Sequence, residues 1–461
     1  MATTASAAGA QAGRPLPGPT GLVLGRRFYS FWRDPLDFLT RLAREHGDVA
    51  GARLGPRTLI LVSHPELIRE LLVTRDREFM KSPALQRAKQ LLGEGLLTSE
   101  GELHLRQRRL IQPIFHRERV AAYGGAMGPM AAAFAERRWR DGAVVDVAAE
   151  MMQLTLSVVA RTLFGADLAE EAPEIGRALT DAMSLMRRAS NPLAPLLDRL
   201  PLPATRRFRR ARARLDETIY RLLRQRRARG LHAGDDDLLG LLLGSRASGQ
   251  AASAGRGELQ LRDEALTLFL AGHETTANAL SWTLLLLALD PPAAQRVRAE
   301  ARARLGERAA GPEDYEALPF TLRVLTESMR LYPPAWVVAR QALHPLELGG
   351  FAIPARQPIL ASQWVVHRDA RWYEEPERFD PDRWLPERAA ALPRFAYFPF
   401  GGGARKCIGE GFAWMEAVLV LATLAARWEF RLVPGQTITP LPLVTLRARP
   451  GILMEVRRVR D

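Results

Sequence analysis

The chain has 461 residues, 47% of them hydrophobic, which is enough for a substantial buried core and excludes a disordered or fibrous chain. Its one cysteine, Cys407, excludes an internal disulfide and with it the usual signature of an oxidising compartment. Only three of the 65 basic residues are lysines (Lys81, Lys89 and Lys406), so the net charge of +14 rests on arginines that stay protonated at any working pH. Such a surface suits nucleic acid, an anionic membrane or an acidic protein. The densest cluster, 11 arginines from Arg206 to Arg229, lacks interleaved aromatics, and no zinc-finger spacing accompanies it. It reads as a solvated helix face, and nucleic acid is not expected as a partner.

In chain order, residues 1–20 read as a flexible tail rich in Ala, Thr, Gly and Pro, with no apolar run that would make a signal peptide or anchor. Residues 21–461 are expected to form one large domain. Val49–Leu54 and Thr58–Val62 alternate as strands. From His64 to Leu243 the periodicity is almost wholly helical, and Ser245–Gly257 reads as a loop within the domain. Leu261–Asp290 is a helix of about 45 Å at 1.5 Å per residue, ended by Pro291 and Pro292. It is apolar around its circumference, so it should run through the middle of the molecule. After Pro333 come short strands near Leu346–Ile353 and Ile359–Trp364, and a last helix over Gly409–Trp428. Its apolar core, Ala417–Ala426, is far shorter than the roughly 18 residues of a membrane span. The fold class is mostly α with small β-sheets, and the location expected is the cytoplasm.

The window that carries chemistry is Phe400-Gly-Gly-Gly403-Ala-Arg405-Lys-Cys407-Ile-Gly409. Cys407 lies in a glycine-rich loop beside two cations and just before a helix, where N–H groups and positive charge stabilise thiolate over thiol. Gly403 and Gly409 would let backbone approach a flat ligand, Phe400 would cover the sulfur, and Arg405 would pair with a carboxylate. A soft thiolate held in this way suits iron.

Here the chain resembles the cytochrome P450 family, whose haem signature is Phe-x-x-Gly-x-Arg-x-Cys-x-Gly. All five fixed types stand at the right spacing, a coincidence met in on the order of one random chain in ten thousand of this length. The resemblance spans nearly the whole chain and implies haem b with Cys407 as axial ligand, under a long central helix. Glu327-Ser-Met-Arg330 would otherwise be an ordinary i, i+3 surface pair. By resemblance it is buried and joined by Arg378, 29 residues before Cys407. Ala271-Gly-His-Glu274-Thr275-Thr276 is similar to the family's oxygen-binding groove. Thr275 would bond back to the Ala271 carbonyl and open the helix, Gly272 would clear room for a planar ligand, Thr275 would stand beside dioxygen, and Glu274 would feed protons through water. His104, Arg108, Arg340 and Arg405 are the candidate contacts to haem propionates. Ala271, Ala335, Val337, Val338, Leu443 and Val444 would line the substrate pocket, closed by Met80–Leu97 and Ala178–Leu200.

The implied activity is insertion of one atom of dioxygen into a lipophilic terpenoid, fatty acid, steroid or polyketide, by hydroxylation or epoxidation. Electrons would come from an acidic ferredoxin with a separate reductase, because only 54 residues follow Cys407. A monomer without membrane anchor is expected. A peroxide-driven peroxygenase would dispense with Glu274-Thr275, and a haem sensor would need neither residue.

Overall fold

The computed structural model describes residues 13–19, 24–55, 57–168, 170–186, 200, 202–230, 237–247 and 257–459. They fall into two compact units. The smaller is built from the chain up to Pro83, Val337–Pro376 and Leu392–Lys406, and the larger from Ala84–Trp336, Glu377–Ala391 and the chain from Cys407 on.

The smaller unit centres on a five-stranded sheet in the order Val49–Leu54, Arg57–Val62, Pro358–Ala361, Val338–Ala342, Phe79–Lys81. Pairing is antiparallel except between Arg57–Val62 and Pro358–Ala361. Its apolar faces bury Val49, Ile60, Val62, Phe79 and Ile359 with Phe395 and Phe398. A hairpin, Leu346–Leu348 with Phe351–Ile353, turns at Gly349 and Gly350, both at positive φ, as a tight two-residue hairpin turn requires. Residues 359–364 therefore differ from the expected strand: the strand is Pro358–Ala361, and Ser362 caps a short helix, Gln363–Val366. The end of the expected tail is tied down. Arg14 exchanges backbone hydrogen bonds with Gly350 and Ala352, and the Gly51 N–H donates to the Pro17 carbonyl at 2.7 Å.

The larger unit is helical. The long helix is Gly257–Leu289, 33 residues, about 50 Å. It starts earlier than the apolar pattern does, with exposed Glu258 and Leu259 in its first turn. It stops at Leu289 because the Asp290 side chain caps the next helix, Pro291–Leu305, with Pro291 in its first turn. From Leu261 to Leu287 every residue is buried except Ala271, Gly272 and Thr275. Val147–Phe164 packs along this helix and is the one described helix long and apolar enough to cross a membrane; two thirds of it is buried within the protein. The arginine-rich helix, Pro203–Ala228, buries Phe208, Leu215, Ile219 and Leu222. Several of its arginines face acids, among them Arg214 with Glu174 and Arg227 with Glu258. The expected loop at 245–257 is helical through Ala247 and again from Gly257; residues 248–256, like 187–199 of the expected pocket closure, lie outside the described residues. A three-stranded sheet (Ala143–Asp146, Leu453–Arg458, Trp428–Leu432) and a hairpin (Thr439–Pro442 with Leu446–Arg449) complete the unit.

Candidate functional site

Cys407 is exposed and lies just before the helix Glu410–Arg427, whose N-cap is Gly409. The helix's first N–H groups therefore lie beside the sulfur and favour its anionic form. Burial lowers the pKa of Arg108, and the negative charge of Cys407 opposes that shift, so this guanidinium lies within electrostatic reach of the thiolate. His104, four residues earlier on the helix Gly101–Ile111, is buried, with Nδ1 3.2 Å from the Leu96 carbonyl. Gly409 takes an ordinary φ of −92°, and a Cβ there would meet Phe115 at 3.5 Å, so the surrounding protein does not demand glycine.

In the smaller unit, Phe400 and Arg405 are half-buried, and an Arg405 Nη lies 3.5 Å from the Phe79 carbonyl. Gly403 has φ +68°, and a Cβ there would fall 1.9 Å from the Leu72 carbonyl oxygen. The close approach that requires this glycine is to the Leu72 backbone. Arg340 is buried on its strand with Lys81 directly opposite, also buried. Like charges facing across a ladder are unfavourable, and an anionic carboxylate between them would relieve the repulsion. Lys81 carried no motif that a single sequence could reveal.

On the central helix the Thr275 hydroxyl donates to the Ala271 carbonyl at 2.9 Å. Ala271, Gly272 and Thr275, within one turn, are the opening in a helix otherwise enclosed from Leu261 to Leu287. A Cβ on Gly272 would meet Val159 Cγ2 at 3.0 Å, so glycine there serves helix packing. Glu274 is buried rather than solvated. Its Oε1 accepts from Thr445 Oγ1 at 2.5 Å and from Arg447 Nε at 2.7 Å, while Oε2 has no hydrogen-bond partner among the described residues. Burial pushes this carboxyl up, but the Arg447 guanidinium and the hydroxyl of Thr445 hold it below the usual carboxylate range. Burial lowers the pKa of neighbouring His273, against the charge of Glu274. Arg447 lies 173 positions from Glu274, a separation no local pattern bridges.

Glu327 and Arg330 are fully buried on the helix Pro319–Leu331, Nε to Oε2 at 2.8 Å. Arg378, itself exposed, enters through its carbonyl, which accepts from Arg330 at 3.0 Å. The buried guanidinium from that stretch beside Glu327 is that of Arg383, at 3.4 Å, and Trp384 Nε1 and the Asp380 N–H also donate to Glu327. Of the expected pocket residues in the larger unit, Ala335 and Leu443 are half-buried and Val444 is exposed; Val337 and Val338, half-buried, belong to the smaller unit. Trp336 Nε1 donates to the Leu443 carbonyl at 3.0 Å.

A cysteine at a helix start with a cation in reach, and one small-residue opening on a buried helix, fit a flat iron-bearing cofactor with a thiolate ligand. The family model for cytochrome P450 matches residues 15–454. The chain is 42% identical to cyclooctatin synthase of Streptomyces melanosporofaciens, over 94% of this chain and 93% of that protein. It is 40% identical to that organism's cyclooctat-9-en-7-ol 5-monooxygenase (90% and 91% covered) and 37% identical to pentalenene oxygenase of Streptomyces avermitilis (91% and 92%). The haem domain of cytochrome P450DA superposes with a TM-score of 0.83 at 26% identity, covering 98% of this chain and 99% of that one. The chain belongs to the cytochrome P450 family. It is a mostly helical haem-thiolate oxidoreductase of the monooxygenase class.

Proposed function

We propose that the chain hydroxylates or epoxidises a terpenoid, with Cys407 as the axial thiolate and the Ala271–Thr275 opening as the dioxygen side of the site. The observation that carries the substrate class is the agreement of two relatives, each at least 37% identical over at least 90% of the chain, that oxidise terpenoids, a cyclooctat-9-en-7-ol 5-monooxygenase and a pentalenene oxygenase. The half-buried or exposed apolar residues Leu443, Val444 and Ala271 suit such a substrate. Fatty acids, steroids and polyketides are the less supported classes.

In the larger unit Arg108, with the ring of His104, would hold a carboxylate of the cofactor; Arg340, Lys81 and Arg405 are the candidate cations of the smaller unit. Haem with a thiolate ligand supplies one-electron chemistry and favours cleavage of the O–O bond. The overall reaction consumes dioxygen, two electrons and two protons, places one oxygen on the substrate and releases the other as water. Thr275 keeps a hydroxyl at the opening, with lone pairs free to order water, and Glu274 is the nearest acid on the same helix. The electrons come from a ferredoxin with its own reductase, in the cytoplasm.

A spin-state titration with terpene hydrocarbons and terpene alcohols, beside fatty acids and steroids, tests this. Terpenoids should shift the Soret band at the lowest concentrations and yield oxygenated product. The reduced carbon monoxide complex should show the red-shifted band of thiolate ligation, lost in Cys407→His. Preference for a fatty acid would overturn the substrate class, and a globin-like wild-type spectrum would overturn the ligand.

A further inference from the structure

The turn that carries Leu443 and Val444 is stitched to one stripe of the central helix. Glu274, Asn278 and Trp282 lie four residues apart, hence on one face. Glu274 takes the bonds from Thr445 and Arg447. Asn278 Nδ2 donates to Thr445 Oγ1 at 3.1 Å, and Trp282 Nε1 donates to the Leu446 carbonyl at 3.0 Å. The other side of the turn is held by Trp336 on Leu443 and by the Leu446 N–H on the Pro334 carbonyl. Arg447 extends to Thr180 Oγ1 at 3.1 Å, on the helix Ala172–Met186. Both donors to Glu274 converge on Oε1, leaving the buried Oε2 without a hydrogen bond among the described residues.

We propose that Thr445 and Arg447 form a latch on Glu274 that the substrate opens by displacing the Leu443–Val444 turn. This rests on the reading above, in which that turn touches substrate and Glu274 handles protons. Held by two donors, Glu274 is an anion fixed on the hairpin side of the helix. In that state it neither takes up a proton readily nor reaches water beside Thr275, on the neighbouring face. A bulky apolar molecule against Val444, the exposed residue of the turn, moves Thr445 and Arg447 with it, because they follow it by one and three residues. The ligand shifts the equilibrium only by as much as it prefers the opened state, and the unpartnered Oε2 makes that state accessible: it is ready to accept a water or a proton once Oε1 is released. Proton supply is thereby tied to occupancy of the pocket, and Thr445 and Arg447 are positioning residues. Among the described residues, the charged or titratable groups that act on Glu274 are Arg447 and His273; Thr445 and Asn278 are neutral.

The test uses the haem-loaded full chain with a terpenoid that shifts its spin state. Substrate-induced infrared difference spectra should show a carboxylate band lost and a protonated carboxyl band gained, both absent in Glu274→Gln. Thr445→Val should show the protonated band without substrate, and raise substrate-free consumption of reductant about tenfold, or about 1.4 kcal/mol, while the spin-shift affinity stays within twofold. Arg447→Lys should lie between wild type and Thr445→Val. Should Arg447→Met fail to fold with Glu274 stranded, the Glu274→Gln/Arg447→Met pair removes the charge and should lose substrate control of reductant use. A spin shift with no carboxyl change in the wild type would overturn the latch while leaving the substrate reading intact. No spin shift with any terpenoid would sink that reading, and the latch with it.

Discussion

Glu416 stands nine residues after Cys407, fully buried on the helix Glu410–Arg427. Neither carboxyl oxygen makes a hydrogen bond of normal geometry among the described residues. Burial pushes its pKa well above the ordinary carboxyl value, and the nearby Thr276 hydroxyl offsets this only in part. A charged carboxylate there would be far costlier than a neutral acid, so the folded protein holds Glu416 protonated. The sign of the pH effect follows. The unfolded chain loses this proton as pH rises through about 4.5, the folded chain keeps it, and stability falls until the folded pKa is reached. The slope from this group is at most about 1.4 kcal/mol per pH unit. Glu416→Gln removes the slope, so its advantage over wild type in denaturant midpoint should widen as pH rises above about 4.5. Parallel pH profiles would mean that Glu416 ionises as an exposed acid does. Glu274 behaves oppositely: its depressed value gives stability that is present at neutral pH and lost as pH falls, through the Arg447 ion pair.

At the scale of elements, the segment leading from Asp380 to Trp384 is locked to the helix Pro319–Leu331 through one carboxylate. Glu327 accepts from Arg330, Arg383, Trp384 and the Asp380 backbone. Removing it strands two buried guanidinium groups, and breaking a buried pair in this way costs about 3–5 kcal/mol. Glu327→Ala should give little soluble haem-loaded protein, read as Soret absorbance per chain, and normal loading would show the pair to be dispensable. The pair was legible as Glu-x-x-Arg, because a helix places i and i+3 together, whereas nothing local marks Arg383 among 62 arginines. The same contrast holds for the central helix. Its length and the Thr275 back-bond follow from periodicity and from a hydroxyl four residues past a carbonyl. Gly272 and Gly403 were legible as points of close approach, but not what approaches: Val159 and the Leu72 backbone come from elsewhere in the chain. Arg447, Thr445 and Lys81 were invisible for that reason, since contacts made at long sequence range leave no spacing to read.

At the scale of the whole molecule, the excess positive charge is the feature that the fold does not consume. Part of it is neutralised locally, as on the helix Pro203–Ala228, where Arg212, Arg214, Arg221 and Arg227 each face an acid. Exposed pairs of this kind contribute little to stability. Other cations lie outside that helix and are exposed. Lys406 adjoins Cys407 and is exposed, and Arg106 and Arg109 are exposed on the helix that carries His104 and Arg108. An electron donor must come close to the thiolate side of the cofactor, and we propose that an acidic ferredoxin uses Lys406 or the Arg106–Arg109 helix face there. Charge complementarity of this sort raises association rates about 10- to 1000-fold and is screened over roughly 8–10 Å at ordinary salt. Stopped-flow reduction by an acidic ferredoxin, followed across a salt series, should show a second-order rate that falls steeply with ionic strength. Lys406→Glu and Arg109→Glu should each slow reduction at low salt and converge on wild type at high salt, where screening removes the difference. Because both side chains are exposed, neither change should alter haem content or the spin shift, which separates docking from folding. A rate indifferent to salt and to both substitutions would assign the +14 to solubility alone.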